Sequence, residues 1–279
     1  MKVWRIWLVA VAVTAGCQSL DVAQDGGFRV SQAMLQSQPV PVLSPLYGKQ
    51  LTSEHAYRIQ RLALEQVLRG QRPTGFKAGL TSSVAQAQFG SRQPIAGVLL
   101  PGAEIATTED GYRVLAKTFR QPAAEAELGF RLTQRVNAPL PDIAALQAIV
   151  GEIAPVLELP DLATAGSSKP NALDLIATNV GAKRFIAGPG RAPSLTDPNK
   201  IVVEIYREGE LVTRGGGRDV SGDQWQALLW LVNRTVASGW SIEPGQLLIT
   251  GAIGKPFALQ PGLYVADFGE FAHFEFVVE

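Results

Sequence analysis

Three glutamates and one lysine carry the chemistry available to this sequence. Glu125 and Glu127 stand two apart in Arg120-Gln121-Pro122-Ala123-Ala124-Glu125-Ala126-Glu127-Leu128-Gly129-Phe130. If this is a strand, both carboxylates project to one side, because strand side chains repeat every second residue. Two carboxylates side by side repel, and burying them uncompensated is costly. A lone Glu-x-Glu is more simply a solvated strand face. A second segment changes that reading, because Pro155-Val156-Leu157-Glu158-Leu159-Pro160-Asp161 sets Glu158 inside an apolar run. A cation shared by Glu125, Glu127 and Glu158 removes the repulsion. An oxygen-only donor set without nearby His or Cys favours Mg²⁺, Mn²⁺ or Ca²⁺ over Zn²⁺ or Cu²⁺. Lys77 lies in Gly75-Phe76-Lys77-Ala78-Gly79-Leu80-Thr81-Ser82, between glycines that allow close backbone approach to a ligand. Beside a metal-bound anion, a lysine pairs with a carboxylate or donates a proton. Read alone, the same segment is equally a loop with a solvated lysine. His55 and His273 read as surface or packing residues.

These groups need elements to position them. Thr52 or Ser53 can cap a helix whose apolar face is Ala56, Ile59, Ala63 and Val67, ended by Gly70. A second helix is predicted from about Asp223 to Ser238, with Trp225, Leu228, Leu229, Val232 and Val236 on one stripe and Gly239 as its stop. Ile143 to Ile149 predicts a short helix before a strand around Val156 to Leu159. Ile201 to Tyr206 is a β-rich run, which Glu208-Gly209 turns into Leu211-Val212. Leu247 to Thr250 is a short strand stopped by Gly251. At the C-terminus Phe271, His273, Glu275 and Val277 alternate with Ala272, Phe274, Phe276 and Val278. No repeat or internal linker appears, so a strand-rich α+β domain is expected over residues 28–279.

The first residues read as a leader. Lys2 and Arg5 precede the apolar run Ile6 to Val13, then Thr14-Ala15-Gly16-Cys17. The run is too short for a stable membrane span and fits a secretory signal over 1–16. Small residues directly before a Cys resemble the bacterial lipobox, which implies lipidation of Cys17. Gln18 in place of Asp implies the outer membrane, facing the periplasm. Residues 17–27 read as a short polar tether. The chain has a single cysteine, so no disulfide is available within it. Lys+Arg and Asp+Glu balance at 25 each, which leaves no electrostatic footprint for nucleic acid. With 46% apolar and 18% charged residues, the composition is that of a well-buried globular protein.

Taken in order, these segments resemble the fumarylacetoacetate hydrolase superfamily, in particular its 2-oxopent-4-enoate hydratase and 4-oxalocrotonate decarboxylase branch. The carriers are Ala56-Tyr57-Arg58-Ile59-Gln60, Gly75-Phe76-Lys77-Ala78-Gly79-Leu80-Thr81, Glu125-x-Glu127, Glu158, Trp230-Leu231 and Ile249-Thr250-Gly251-Ala252. The resemblance implies a mixed β-sandwich roll with a few peripheral helices, usually in a homo-oligomer. It implies Mg²⁺ or Mn²⁺ on Glu125, Glu127 and Glu158, with Lys77 acting on the substrate and Gly79, Leu80 and Thr250 around it. The substrate implied is a small 2-oxo or 2-hydroxy-dienoic acid, and the reaction that of a hydratase-like lyase. A C–C hydrolase or decarboxylase of the same superfamily is the alternative within enzymes. A non-catalytic lipoprotein binding metal and carboxylate is the alternative outside them. Some positions depart from the pattern. Ile95, in Pro94-Ile95-Ala96-Gly97, stands where the hydratases carry Asp. Ala177-Thr178-Asn179-Val180-Gly181 replaces Ala-Asp-Asn-Ala-Ser, and Asp161-Leu162-Ala163 replaces Asp-Ser-Arg. The proline expected before the tryptophan-bearing helix is also missing.

Overall fold

Runs of β-branched and aromatic residues become strands here, and the 3.6-residue stripes become helices packed on their rims. The computed structural model describes residues 21–109 and 111–279, so the leader and Cys17 lie outside the described residues. The strands are β1 (Gly75–Gly79), β2 (Ile95–Leu99), β3 (Tyr112–Val114), β4 (Ala123–Leu132), β5 (Val150–Leu159) and β6 (Arg184–Ala187). They continue as β7 (Val202–Arg207), β8 (Glu210–Gly216), β9 (Leu247–Ile249), β10 (Phe257–Ala258), β11 (Gly262–Asp267) and β12 (His273–Val278). The helices are α1 (Val22–Leu35), α2 (Ser44–Tyr47), α3 (Ser53–Leu68), α4 (Ser83–Phe89), α5 (Ile143–Gln147), α6 (Ala172–Ala177) and α7 (Gln224–Ala237). One mixed sheet runs β2-β1-β9-β4-β5-β6, with β10 added to β4, and a second runs β3-β12-β11-β7-β8. This is the expected α+β roll of curled sheets with few helices.

The tether expected over 17–27 is corrected from residue 21 onward. Asp21 caps α1 by accepting from the Ala23 N–H, and Gly26 and Gly27 are buried against α3. A Cβ on Gly26 would stand 2.6 Å from Ile59, and one on Gly27 2.8 Å from Leu62. The two glycines let the helix backbones close up, which repays their entropic cost within a helix. The polar residues that suggested a tether lie on the outer side of α1, and the folded domain begins before residue 28.

Helix α7 is also rotated from expectation. Its buried line is Gln224, Ala227, Leu228, Leu231, Val232 and Thr235, while Trp225, Leu229 and Val236 are half-buried. An apolar-only stripe misplaces the face because Gln224 is buried with partners. Its amide donates to the Gly217 carbonyl and accepts from the Thr250 hydroxyl. The β7–β8 hairpin turns at Glu208 and Gly209, both at positive φ, as primed two-residue turns require. In β12 Phe274, Phe276 and Val278 face the core, and Phe271 is buried in the preceding turn.

The β2 edge is closed by side chains instead of a further strand. The Ala96 N–H donates to the Tyr57 hydroxyl at 3.1 Å, and the Gln60 amide donates to the Ala96 carbonyl at 2.9 Å. Asn179 takes both groups of Val98, accepting from its N–H at 2.7 Å and donating to its carbonyl at 2.9 Å. Every outward backbone group of Ala96 and Val98 is therefore satisfied, which protects the edge against further pairing.

Candidate metal and substrate site

The site forms where a strand runs out. Strand β9 is three residues long and pairs Ile249 with Lys77 on one side and with Gly129 on the other. Beyond Ile249, β1 and β4 continue without a strand between them. In a flat sheet β1 and β5 would lie three spacings apart, about 14 Å, out of reach of a lysine–glutamate contact. Curling of the sheet, together with the gap past β9, lets the Lys77 ammonium pair directly with Oε1 of Glu158. Both partners are buried, Lys77 at 2% and Glu158 at 0% exposure.

Strand register assembles the three carboxylates. Glu125 and Glu158 are direct cross-strand partners, and Glu127 follows Glu125 on the same face. Like charges directly opposite each other are destabilising unless something screens them. One oxygen from each of the three lies within 4.8 Å of the others. Glu127 is fully buried and Glu125 half-buried. The Gly251 N–H donates to Oε2 of Glu127 at 2.6 Å. Gly251 sits at φ +114 with the Thr81 side chain against its α-carbon, so no other residue fits there. Oε1 of Glu127 and Oε2 of Glu158 are buried with no hydrogen-bond partner. Two such orphaned acceptors beside a third carboxylate are what a bound divalent cation satisfies.

The electrostatics follow from burial. Glu127 is raised well above the ordinary carboxylate range by desolvation and then by the charges of Glu158 and Glu125, with Lys77 and the Gly251 N–H opposing. Glu158 is pushed up to about 7, again chiefly by burial, which Lys77 opposes and Glu125 reinforces. Burial pulls the Lys77 ammonium down, but Glu158, Glu125 and Glu127 together outweigh it and hold it charged.

The remaining expected residues divide. The Lys77 segment is a buried strand, not a solvated loop. Its glycines admit protein: a Cβ on Gly79 would lie 2.7 Å from Val180 and 3.5 Å from Ile95. Leu80 follows at φ +52, half-buried beside Lys77's strand. Thr250 is fully buried with its hydroxyl turned to Gln224, and it is the neighbouring Gly251 that donates to Glu127. Ile95 is buried against Gly79 and also lines a surface cavity of about 480 Å³ with Tyr57, Phe89, Leu173 and Ile176. None of the three glutamates lines that cavity. Asp161 ties the ends of β4 and β5 together, accepting from the Arg120 and Gln121 N–H groups and from Lys183. His55 is half-buried and His273 exposed, and neither belongs to the carboxylate group. Sequence reasoning missed the Gly251 N–H and the Val180 carbonyl, which accepts from Lys77 at 3.2 Å. Backbone groups leave no mark in side-chain patterns.

No protein-family model matches the chain. Over 216 residues it is 32% identical to 2-keto-4-pentenoate hydratase 1 of Dechloromonas aromatica (strain RCB), spanning 75% of this chain and 79% of that one. It is 29% identical over 236 residues to a 4-oxalocrotonate decarboxylase of Pseudomonas putida, spanning 84% and 87%. Among solved structures it superposes with a TM-score of 0.83 on the 4-oxalocrotonate decarboxylase from Pseudomonas putida G7 complexed with magnesium and adipate. That match has 22% identity over 92% of this chain and 97% of the other, and it establishes the fold. A fumarylpyruvate hydrolase from Pseudomonas aeruginosa, in complex with Mn²⁺ and pyruvate, superposes with a TM-score of 0.54 at 14% identity, over 74% of this chain and 89% of the other. The chain belongs to the family of the 2-keto-4-pentenoate hydratases.

Proposed function

We propose that this protein is a divalent-metal-dependent lyase of the hydratase kind, acting on a small 2-oxo or 2-hydroxy-dienoic acid. Two orphaned carboxylate oxygens beside a buried, charged lysine carry this reading. Glu125, Glu127 and Glu158 would hold Mg²⁺ or Mn²⁺, the all-oxygen donor set these hard cations take. A bound ion of this kind supplies a Lewis acid for a keto oxygen and offsets the repulsion among the carboxylates.

The rest is done by the chain's own groups. Gly251 fixes the Glu127 carboxylate through its N–H. The Lys77 ammonium, charged and held by Glu158 and the Val180 carbonyl, faces the site as a partner for a substrate carboxylate or as a proton donor. Val180 lies over Gly97, the partner of Lys77 on β2, and with Ile95 flanks Gly79 two residues along the strand. Gly79 and Leu80 carry backbone groups past the lysine, where a substrate can be positioned.

Ile95 favours a second reading, decarboxylation. Adding water across a double bond needs a proton donor away from the keto acid head. Val180 puts apolar surface beside the Lys77 stem, and Ile95 extends it along Gly79. Loss of CO₂ needs only an electron sink, and burying a carboxylate in an apolar wall favours its departure.

Incubation of the purified chain with Mg²⁺ or Mn²⁺ tests both readings, with 2-hydroxy-2,4-dienoate, 4-oxalocrotonate and acylpyruvate absorbance followed in parallel. Metal-dependent loss of the first supports hydration and of the second decarboxylation. Turnover of acylpyruvate alone would move the assignment to C–C hydrolysis. No turnover of any, alongside metal-dependent binding of oxalate or pyruvate, would replace the enzyme by a carboxylate-binding protein. The lipobox-like residues before Cys17 extend the proposal to a lipid-anchored protein of the cell envelope.

A further inference from the structure

Three successive residues, Asn179, Val180 and Gly181, lie in the left-handed region at φ 64, 54 and 65. For the β-branched Val180 this conformation is strained, and such strain persists only where the surroundings impose it. The surroundings here are specific. The Asn179 side-chain amide is buried and grips both backbone groups of Val98 on β2. Behind the turn, the Ala182 N–H donates to the Asn179 carbonyl and the Asp161 N–H to the Gly181 carbonyl. The strained turn has two products. It aims the Val180 carbonyl at the Lys77 ammonium, 3.2 Å away, and it lays the Val180 side chain over Gly79 and Gly97. A Cβ on Gly97 would meet Val180 at 3.2 Å and the Asn179 carbonyl at 3.0 Å, so β2 needs glycine there to admit the turn.

We infer that Asn179 is a positioning residue for Lys77, acting through the Val180 carbonyl. Lys77 has two acceptors, Glu158 and this carbonyl. Glu158 also belongs to the three-carboxylate group, so its charge is shared among several demands. The Val180 carbonyl is neutral and stands outside the carboxylate group. It holds the ammonium's direction whatever the carboxylates bind, and the Asn179 grip on Val98 keeps it in place. The inference rests on the reading of Lys77 as the group that meets the substrate carboxylate.

A double-mutant cycle on the full chain tests it, with Mg²⁺-dependent oxalate binding measured by calorimetry. Asn179→Gly keeps the left-handed turn accessible and deletes the grip on Val98. It is expected to weaken oxalate binding about tenfold or more, since misplacing a positioned group costs that much, with Mg²⁺ affinity changed less than about twofold. In the Lys77→Ala background, Asn179→Gly should cost less than a further twofold or so, because the group it positions is gone. Should Asn179→Gly fail to fold, Asn179→Asp, which keeps the acceptor for the Val98 N–H, takes its place in the same cycle. Equal losses in both backgrounds would overturn the positioning role while leaving Lys77's own role intact. Unchanged oxalate binding in Lys77→Ala would overturn both.

Discussion

Glu127 and Glu158 are buried, each with one carboxylate oxygen that accepts no hydrogen bond, and their behaviour should follow from that. A glutamate titrates ordinarily near 4.5, whereas Glu158 in the fold is pushed up to about 7. The folded, metal-free protein therefore keeps a proton that the unfolded chain releases as pH rises through this window. Its stability should fall between about pH 4.5 and 7, the reverse of a carboxylate whose pKa folding lowers, because burial outweighs the Lys77 pairing, and Glu127 adds in the same direction. Lys77, raised from an already basic value, contributes no slope there. With chelator present, thermal melting at about pH 5.5 should exceed that at about pH 7.5, and Mg²⁺ should restore the loss at the higher pH. A melting temperature that rises with pH under chelator would contradict this account. Glu127→Gln keeps the shape and the Gly251 contact while removing one charge. Calorimetry should show Mn²⁺ binding weakened at least about tenfold, with the metal-free protein more stable than the parent.

At the scale of elements, α3 acts as a clamp on the strand beside Lys77. Gln60 donates to the carbonyls of Ala96 and Ile176, joining β2 to α6, and Tyr57 takes the Ala96 N–H. Gln60→Ala removes the donor to the buried Ala96 carbonyl and one of two donors to the Ile176 carbonyl, and should cost about 1–3 kcal/mol in denaturant unfolding. This explains physically why a polar Tyr and Gln recur on a helix otherwise read by its apolar stripe. Periodicity located the helix, but what its polar face grips lies far along the chain. The α1–α3 contact is the other element the sequence concealed. Gly26→Val would drive a side chain into Ile59 and should destabilise by about 1–3 kcal/mol. In a free tether the same change would be silent, so the measurement separates the two descriptions.

Over the whole molecule, one curled sheet carries the site and a second, five-stranded sheet is built from β3, β7, β8, β11 and β12. Helix α1 starts at Val22, five residues after Cys17, and packs directly on α3. An anchor at Cys17 would therefore hold the domain close to a membrane surface. No helix among the described residues is long and apolar enough to cross a membrane. If the anchor is a lipid on Cys17, Cys17→Ala should abolish incorporation of labelled palmitate and release the protein from the envelope fraction with its metal binding unchanged. Labelling that survives the substitution would refute the anchor.

Much of the site was legible in the sequence because its chemistry is short-range. Glu-x-Glu on a strand sets two carboxylates on one face whatever surrounds it, and a Glu within an apolar run announces a charge needing a partner. The stop at Gly251 and the glycines around Lys77 were visible as well. What those glycines admit was not, because closeness between Gly79 and Val180, or Gly251 and Thr81, arises only when distant segments meet. The partner of Lys77 was equally hidden, since no local pattern tells that β9 ends early and that the sheet curls to bring β1 to β5. Sequence alone determined which side chains could bind a cation. Tertiary structure decided that the three form one largely buried cluster with a charged lysine, because burial and strand register convert separate carboxylates into one site.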